Sequence, residues 1–382
     1  MPNAATVRFP GLNGLRFYAA LLVVVAHVEV AKSQILGVAS VFERMPLRLD
    51  VGSLAVRFFF VLSGFLITYL LLAERETAGS IDVPRFYLRR ALRIFPLYYL
   101  IVLLAFTVFP LLLPGDPMYD IHRQTQALPR LILYLAFLPN VGLVASPLVP
   151  GAGHLWSIGV EEQFYWFWPA VMKLFPKRLP AMLIALIAVK GVAVTAIGHW
   201  LGASGGGPGF IRTLYAWTFL PIEYMAIGGL GADAVFRQRK ALLGLVLHPW
   251  VERVNLFVLL PAVFVVRIGM PSLAIGAIFL VLILNVACNE RSLIRLDDRF
   301  HRHAGDLSYG VYMYHPLVLF AVLAALKARP AILGWPVFMH LLLYGLVLGA
   351  TYGISLLSHR HFEGFFLRMK KRFAVVESNP AG

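Results

Sequence analysis

Charge is scarce in this sequence of 382 residues: Asp, Glu, Lys and Arg together make up 14%, against about a quarter in ordinary soluble domains. That shortage excludes a conventional water-facing surface. Cysteine is reduced to Cys288 alone, inside an apolar run, so neither a disulfide framework nor a cysteine-based metal site is available. A small-residue cleavage site is missing after the first apolar run, which therefore reads as a retained helix rather than a signal peptide. No internal repeat supports an inverted-repeat transporter, and no Gly-x-Ser-x-Gly elbow surrounds Ser63.

What the sequence has in abundance is apolar. Hydrophobic residues reach 59% and the mean hydropathy is +0.77. Ten apolar runs, each long enough or nearly long enough to cross a bilayer, cover residues 14–31, 53–73, 94–113, 155–175, 180–200, 212–235, 253–268, 270–289, 308–327 and 335–358. The seventh is short. The spacing predicts an all-α polytopic bundle of about ten helices, forming a single membrane domain over residues 1–372 with a short irregular tail at 373–382. Residues 128–140 are apolar but short and bounded by proline, and read as interfacial or re-entrant.

The net charge of +15 would suggest nucleic acid on a soluble protein. Here Lys and Arg gather in short loops that alternate to one side: Arg85, Arg89, Arg90 and Arg93, then Lys173, Lys177 and Arg178, then Arg237, Arg239 and Lys240, then Arg291 to Arg302, then Arg368 to Arg372. The positive-inside effect accounts for them without a nucleic-acid partner, and places both termini in the cytoplasm. The opposite loops keep Lys32, Arg44, Arg48, Arg123 and Arg130, so the bias is strong but incomplete. The long 114–153 connection, rich in Pro and Gly, has the length of a functional loop.

Within the first run, Arg16 and His27 lie eleven positions apart. Eleven positions turn an α-helix through about 1,100°, three turns and roughly 20°, so the two share a face about 16 Å apart. Ionisable groups inside a bilayer usually face the protein interior or a watery cavity. A neutral histidine there can take a proton from a hydroxyl, and an arginine offers a rigid multi-donor cation to an anion. A structural histidine and a snorkelling arginine fit the same spacing.

The stretch LNGLRFYAALLVVVAH, Leu12 to His27, resembles the opening of the acyltransferase-3 family, the bacterial membrane O-acyltransferases, with their Arg-x10-His signature. FFFVLSGFLIT from Phe58, FYLRRALRIFPLYYL from Phe86, HLWSIGVEEQFYWFWP from His154 and LSYGVYMYHPLV from Leu307 are similar to four further motifs of that family, in the same order. One departure is Asn13, where the family commonly has Asp. The resemblance implies transfer of an acyl group, generally acetyl from cytoplasmic acetyl-CoA, to a hydroxyl of a cell-surface or secreted carbohydrate or glycolipid. It implies residence in the bacterial inner membrane and no metal. Carried over by motif, His27 is the base or acyl-handling residue and Arg16 its partner. Arg90 and Arg93, with Arg89 beside them, would hold the phosphates of the donor, although positive-inside topology explains the same cluster.

Glu161 and Glu162, one turn into the fourth run and expected near the outer surface, would orient a histidine or bind acceptor hydroxyls. Adjacent carboxylates point about 100° apart on a helix, so one role does not serve both. Trp156, Tyr165, Trp166 and Trp168 suit sugar stacking or an interfacial aromatic belt equally. Tyr309, Tyr312 and His315 fall near one face of the ninth run, with Tyr309 and His315 candidates for substrate contact. Ser63-Gly64 reads as close helix packing. Glu223 is a cavity residue or a partner of Lys190. His301 with His303, and His359 with His361, sit in basic flanks and read as topology signals. The competing function is a polytopic transporter of lipid, sugar or acyl donor, with His27 and the carboxylates as a proton relay. Oligomeric state and acceptor identity are not legible.

Overall fold

The computed structural model describes residues 5–44, 51–108, 110, 127–142, 149–175, 177–203, 221–265 and 271–378. Its principal helices follow the apolar runs: α1 (Leu12–Leu36), α2 (Val51–Ala78), α3 (Val83–Leu103), α4 (Leu155–Leu174), α5 (Leu179–Ala203), α6 (Ile222–Phe236), α7 (Pro249–Val254), α8 (Ser272–Cys288), α9 (Arg299–Lys327), α10 (Pro336–Ser358) and α11 (Gly364–Lys371). Local signals set their ends. Gly11 and Gly37 flank α1 at φ 77° and 65°, a conformation that glycine adopts without a Cβ penalty. Asp82 caps α3 by accepting from the Arg85 amide, and Asp298 caps α9 by accepting from the His301 amide, each satisfying a backbone donor that the first turn leaves free.

The all-helical class is as expected; the count of ten crossings is not confirmed. Among the described residues six helices are long and apolar enough to cross a membrane: α1, α2, α3 extended to Val108, α5, α9, and α10 continued through α11. A seventh arises if the segments Lys240–Val246 and Pro249–Val263, which meet at 46°, act as one span. The other runs fall short for identifiable reasons. α8 has 17 residues. α4 carries Glu161, Glu162 and Lys173. α6 shows 15 residues, the preceding 204–220 lying outside the described set. The apolar segment at 128–140 forms two short helices, Ala127–Leu135 and Pro139–Gly142. They break at Phe137, where φ is 57°, and Tyr98 and Tyr99 of α3 donate to the carbonyls of Tyr134 and Leu135.

The tail expected from residue 373 carries a strand, Val376–Ser378, paired in parallel with Ala5–Val7 in the register Ala5↔Val376. Both described chain ends therefore lie on one face of the bundle, here called the terminal face. Lys32, counted above among the loop cations, belongs to α1 and is fully buried. Its Nζ donates to Glu29 at 2.7 Å, while Tyr344 donates to the same carboxylate oxygen at 2.7 Å. Lys190 pairs with Glu223, tying α5 to α6. α5 is otherwise the least buried of the six.

The closest helix packing is that of α2 on α6. A Cβ on Gly64 would stand 2.0 Å from the Met225 carbonyl oxygen, and one on Gly228 would stand 2.0 Å from the Val61 carbonyl oxygen. Small residues at such crossings let two backbones touch, the main source of association energy where lipid removes the hydrophobic drive. Gly64→Ala and Gly228→Ala are each expected to destabilise the fold by about 1–3 kcal/mol through overpacking, read as a lower Tm in detergent. Gly349→Ala, where the added carbon meets nothing within 4 Å, should leave the Tm unchanged or raise it.

Candidate active site

Five helices enclose an open cavity of about 970 Å³. α1 contributes Arg16, α3 contributes Arg90 and Arg93, α4 contributes Ser157 and Glu161, and α9 contributes Tyr309 and Tyr312, with α2 supplying Phe59 and Phe60. Three guanidinium groups thus face a single carboxylate. Arg90 is held between the rings of Phe86 and Tyr165, 5.8 and 5.5 Å from their centroids, a cation–π placement. Arg16 donates to Asn13 Oδ1 at 3.4 Å and Asn13 Nδ2 donates to Asp306 at 3.2 Å. At the position where Asp is the commoner residue, the Asn13 amide bridges the arginine to a carboxylate on α9.

Glu161 accepts from Ser63 Oγ at 2.6 Å, so Ser63 is a cavity residue while Gly64 makes the helix contact. Both glutamates, expected near the outer surface, are enclosed by protein. The turn before α4 is itself buried, with Val149 at 2% and Ala152 at 0% exposure. Glu161 sits on the same wall as Arg16, Arg90 and Arg93. Glu162 points elsewhere, into a crevice with Tyr87, Leu88, Phe95 and Trp166, and its buried Oε1 has no hydrogen-bond partner. Trp156 packs edge-on against Phe60 at 6.2 Å and is not on the cavity wall.

The cavity ends at Ser157 and Tyr312, whose hydroxyl oxygens are 2.6 Å apart. Behind this pair stand three histidines. Pro316 lies inside α9 and has no amide hydrogen, so the Tyr312 carbonyl four residues earlier loses its helical donor. His315 Nδ1 takes that place at 2.7 Å. A carbonyl only accepts, so His315 Nδ1 carries the proton. In the neutral ring Nε2 is then an acceptor, and it receives His27 Nδ1 at 2.7 Å. The chain of bonds leaves the lone pair of His27 at Nε2. The two rings lie end to end across this bond, nearly coplanar, with centroids 5.0 Å apart and planes 14° apart, which turns His27 toward the interior and away from lipid. His27 does not line the Arg cavity; the Ser157–Tyr312 layer lies between.

His154 is the residue that the sequence reading quoted without a role. Its ring is buried, 5.3 Å from those of His315 and Tyr312, and neither nitrogen makes a hydrogen bond of good geometry. Its only signal in the sequence is its place at the head of the Trp-Ser motif. Tyr309 is on the cavity wall and donates to the Ile94 carbonyl at 3.0 Å.

A second cavity, of about 1,440 Å³, shares Ile67, Leu70, Arg90 and Arg93 with the first and continues it toward the terminal face. Arg89 lines only this one, paired with Glu74 and donating to the Phe373 carbonyl at 3.1 Å. His359 lies on its wall, while His301 bonds to Asp298 and Tyr18. Among the described residues no three His, Cys, Asp or Glu side chains are placed to hold a metal ion.

Comparison with known proteins gives this arrangement a family. The chain is 25% identical over 407 aligned residues to the peptidoglycan O-acetyltransferase OatA of Listeria monocytogenes, an alignment covering 98% of this chain and 60% of that protein. It is 31% identical over 175 residues to the O-acetyltransferase OatA of Staphylococcus aureus, covering 44% of this chain and 25% of that one. The chain thus spans about 60% of the length of the first relative and matches a quarter of the second. No solved structure matches it. The profile of the family described as an acyltransferase domain matches residues 9–360, and the chain belongs to that acyltransferase-3 family.

Proposed function

We propose that this protein moves an acetyl group from acetyl-CoA, entering at the terminal face, to a hydroxyl of a cell-surface carbohydrate, with His27 as the base. In this reading the terminal face is cytoplasmic and the membrane is the bacterial inner membrane, as the loop cations favour. The acetyl group and the surface polymer rest on the similarity to O-acetyltransferases, one of them a peptidoglycan O-acetyltransferase. The observation that carries the proposal is the hydrogen-bonded run from the Tyr312 carbonyl through His315 to His27, set beyond the end of an arginine-lined cavity.

The chemistry balances with these groups. His27 Nε2 takes the proton from the acceptor hydroxyl, and the oxygen attacks the thioester carbonyl. The new C–O bond forms as the C–S bond breaks, and the proton on His27 passes to the departing thiolate. The Ser157 and Tyr312 hydroxyls, bonded to each other and to the His154 carbonyl, form the layer that must part for the thioester to meet His27, and their protons, once released from those bonds, can be given to the carbonyl oxygen as negative charge develops. Arg16, Arg90 and Arg93 hold the anionic donor, and Glu161 keeps their guanidinium groups turned to the cavity. His315 acts through His27 as a positioning residue. An acyl-histidine relay uses the same groups, with Nε2 as nucleophile.

The test is mass spectrometry of surface glycans from a deletion strain complemented with wild type or variants. Deletion should remove an ester mass of one acyl group, which wild type restores. His27→Ala should cut transfer by about 10²–10⁴-fold; full restoration by that variant would overturn the assignment. With purified protein and acetyl-CoA, His315→Gln should lower kcat by about 10²-fold through misplacing His27, with the Tm held. Pro316→Ala, which gives the Tyr312 carbonyl a competing donor, should lower kcat by less.

A further inference from the structure

The C-terminal helix supplies a set of cations that the proposed chemistry does not use. α10 passes through a π-helical turn, His359–Glu363, into α11. α11 packs along α3, the helix that carries Arg89, Arg90 and Arg93. The second cavity lies between them. Arg360, Arg368, Lys370 and Lys371 line it from the C-terminal side, facing the three α3 arginines. Two carboxylates share the wall. Glu74 is already matched to Arg89, and Asp306 is hydrogen-bonded to Asn13. None of Arg90, Arg93, Arg360, Arg368, Lys370 or Lys371 makes a carboxylate pair within 4 Å among the described residues. His359 adds a buried Nδ1 with no hydrogen-bond partner.

Like charges gathered against a low-dielectric wall repel strongly, and arginine forks and lysine ammonium groups are suited to phosphate oxygens. The positive-inside effect explains cations in a loop; it does not explain why two separate segments turn theirs into one cavity. That cavity runs into the first through Ile67, Leu70, Arg90 and Arg93. A ligand filling both is anionic at the terminal face and slender and mixed in polarity further in.

We propose that Arg360, Arg368, Lys370 and Lys371 of the C-terminal segment form, with the α3 arginines, a cradle for the phosphorylated nucleotide end of an acyl-CoA, leaving its pantetheine arm to the first cavity. This assignment rests on the donor reading above and adds the donor's direction. The strand pairing Val376–Ser378 with Ala5–Val7 and the bond from Arg89 to the Phe373 carbonyl tie the segment in place across the mouth. An anionic lipid headgroup would satisfy the same cations from outside, but it would leave the connecting passage without an occupant.

The test is calorimetric binding to the full chain in nanodiscs of zwitterionic lipid, using CoA, 3′-dephospho-CoA and pantetheine in the absence of acceptor. Wild type should prefer CoA to dephospho-CoA, and both to pantetheine. The double variant Arg368→Gln/Lys370→Gln should reduce the ratio of CoA to pantetheine affinity by about ten- to a hundredfold, the scale of one or two lost charge-assisted bonds. Arg368→Lys/Lys370→Arg should retain most of the ratio. The proposal is overturned if the glutamine variant leaves the ratio unchanged, whether both affinities hold or both fall together. It is equally overturned if that variant instead loses only its retention of anionic lipid. Binding is read without turnover, so a protein that binds CoA through these residues yet transfers nothing would defeat the acetyltransfer reading and leave the cradle standing.

Discussion

A proline inside a helix frees one carbonyl, and the histidine cluster depends on that carbonyl. Tyr312 would give its oxygen to the amide four residues on, but that residue is Pro316. The orphaned acceptor captures His315 Nδ1 at 2.7 Å, which decides which nitrogen of His315 faces His27 and leaves His27 Nε2 bare. Burial enforces the arrangement: His315 is 0% exposed, and an unmet polar group at such a position costs on the order of 1–3 kcal/mol. The same tyrosine reaches back with its hydroxyl to Ser157 at 2.6 Å. One residue of α9 therefore closes the arginine cavity and sets the tautomer behind it.

The surrounding architecture keeps α1 and α9 in register for that contact. At the terminal end Asn13 joins Arg16 to Asp306. Toward the far end α1 is fixed to α10 by the buried Glu29–Lys32 pair and Tyr344. Such a pair is held to a narrow geometry, because removing one partner would leave a buried charge. His27 lies between these two anchors. The charges separate along the same axis: unpaired cations toward the terminal face, neutral imidazoles beyond Tyr312. A polyanionic donor and a neutral hydroxyl acceptor suit opposite ends of that gradient.

Much of this was legible in the sequence, for physical reasons. Arg16 and His27 share a face because eleven residues nearly close three turns, and a charged residue in an apolar helix must look inward. His315 was a candidate by its motif, but that Pro316 frees the Tyr312 carbonyl for it emerges only from the structure. The neighbours of Glu161 were not legible: a run of apolar residues gives the length of a helix and not which side chains of other helices it meets, here Arg16, Arg90 and Arg93. His154 was hidden for the same reason. Arg368, Lys370 and Lys371 read as loop charge, and Arg360 went unremarked, because only tertiary packing brings them beneath α3, some 280 positions earlier. The count of ten crossings is not confirmed among the described residues, where α4 carries three charged side chains and α8 has 17 residues.

The most direct measurement is solid-state nitrogen NMR of histidine-labelled protein in bilayers at neutral pH, with the His27 signals identified by their loss in His27→Gln. The account predicts a neutral His27 ring protonated at Nδ1 and bare at Nε2, with a coupling across its bond to His315. A ring protonated at Nε2, or an imidazolium, would contradict it.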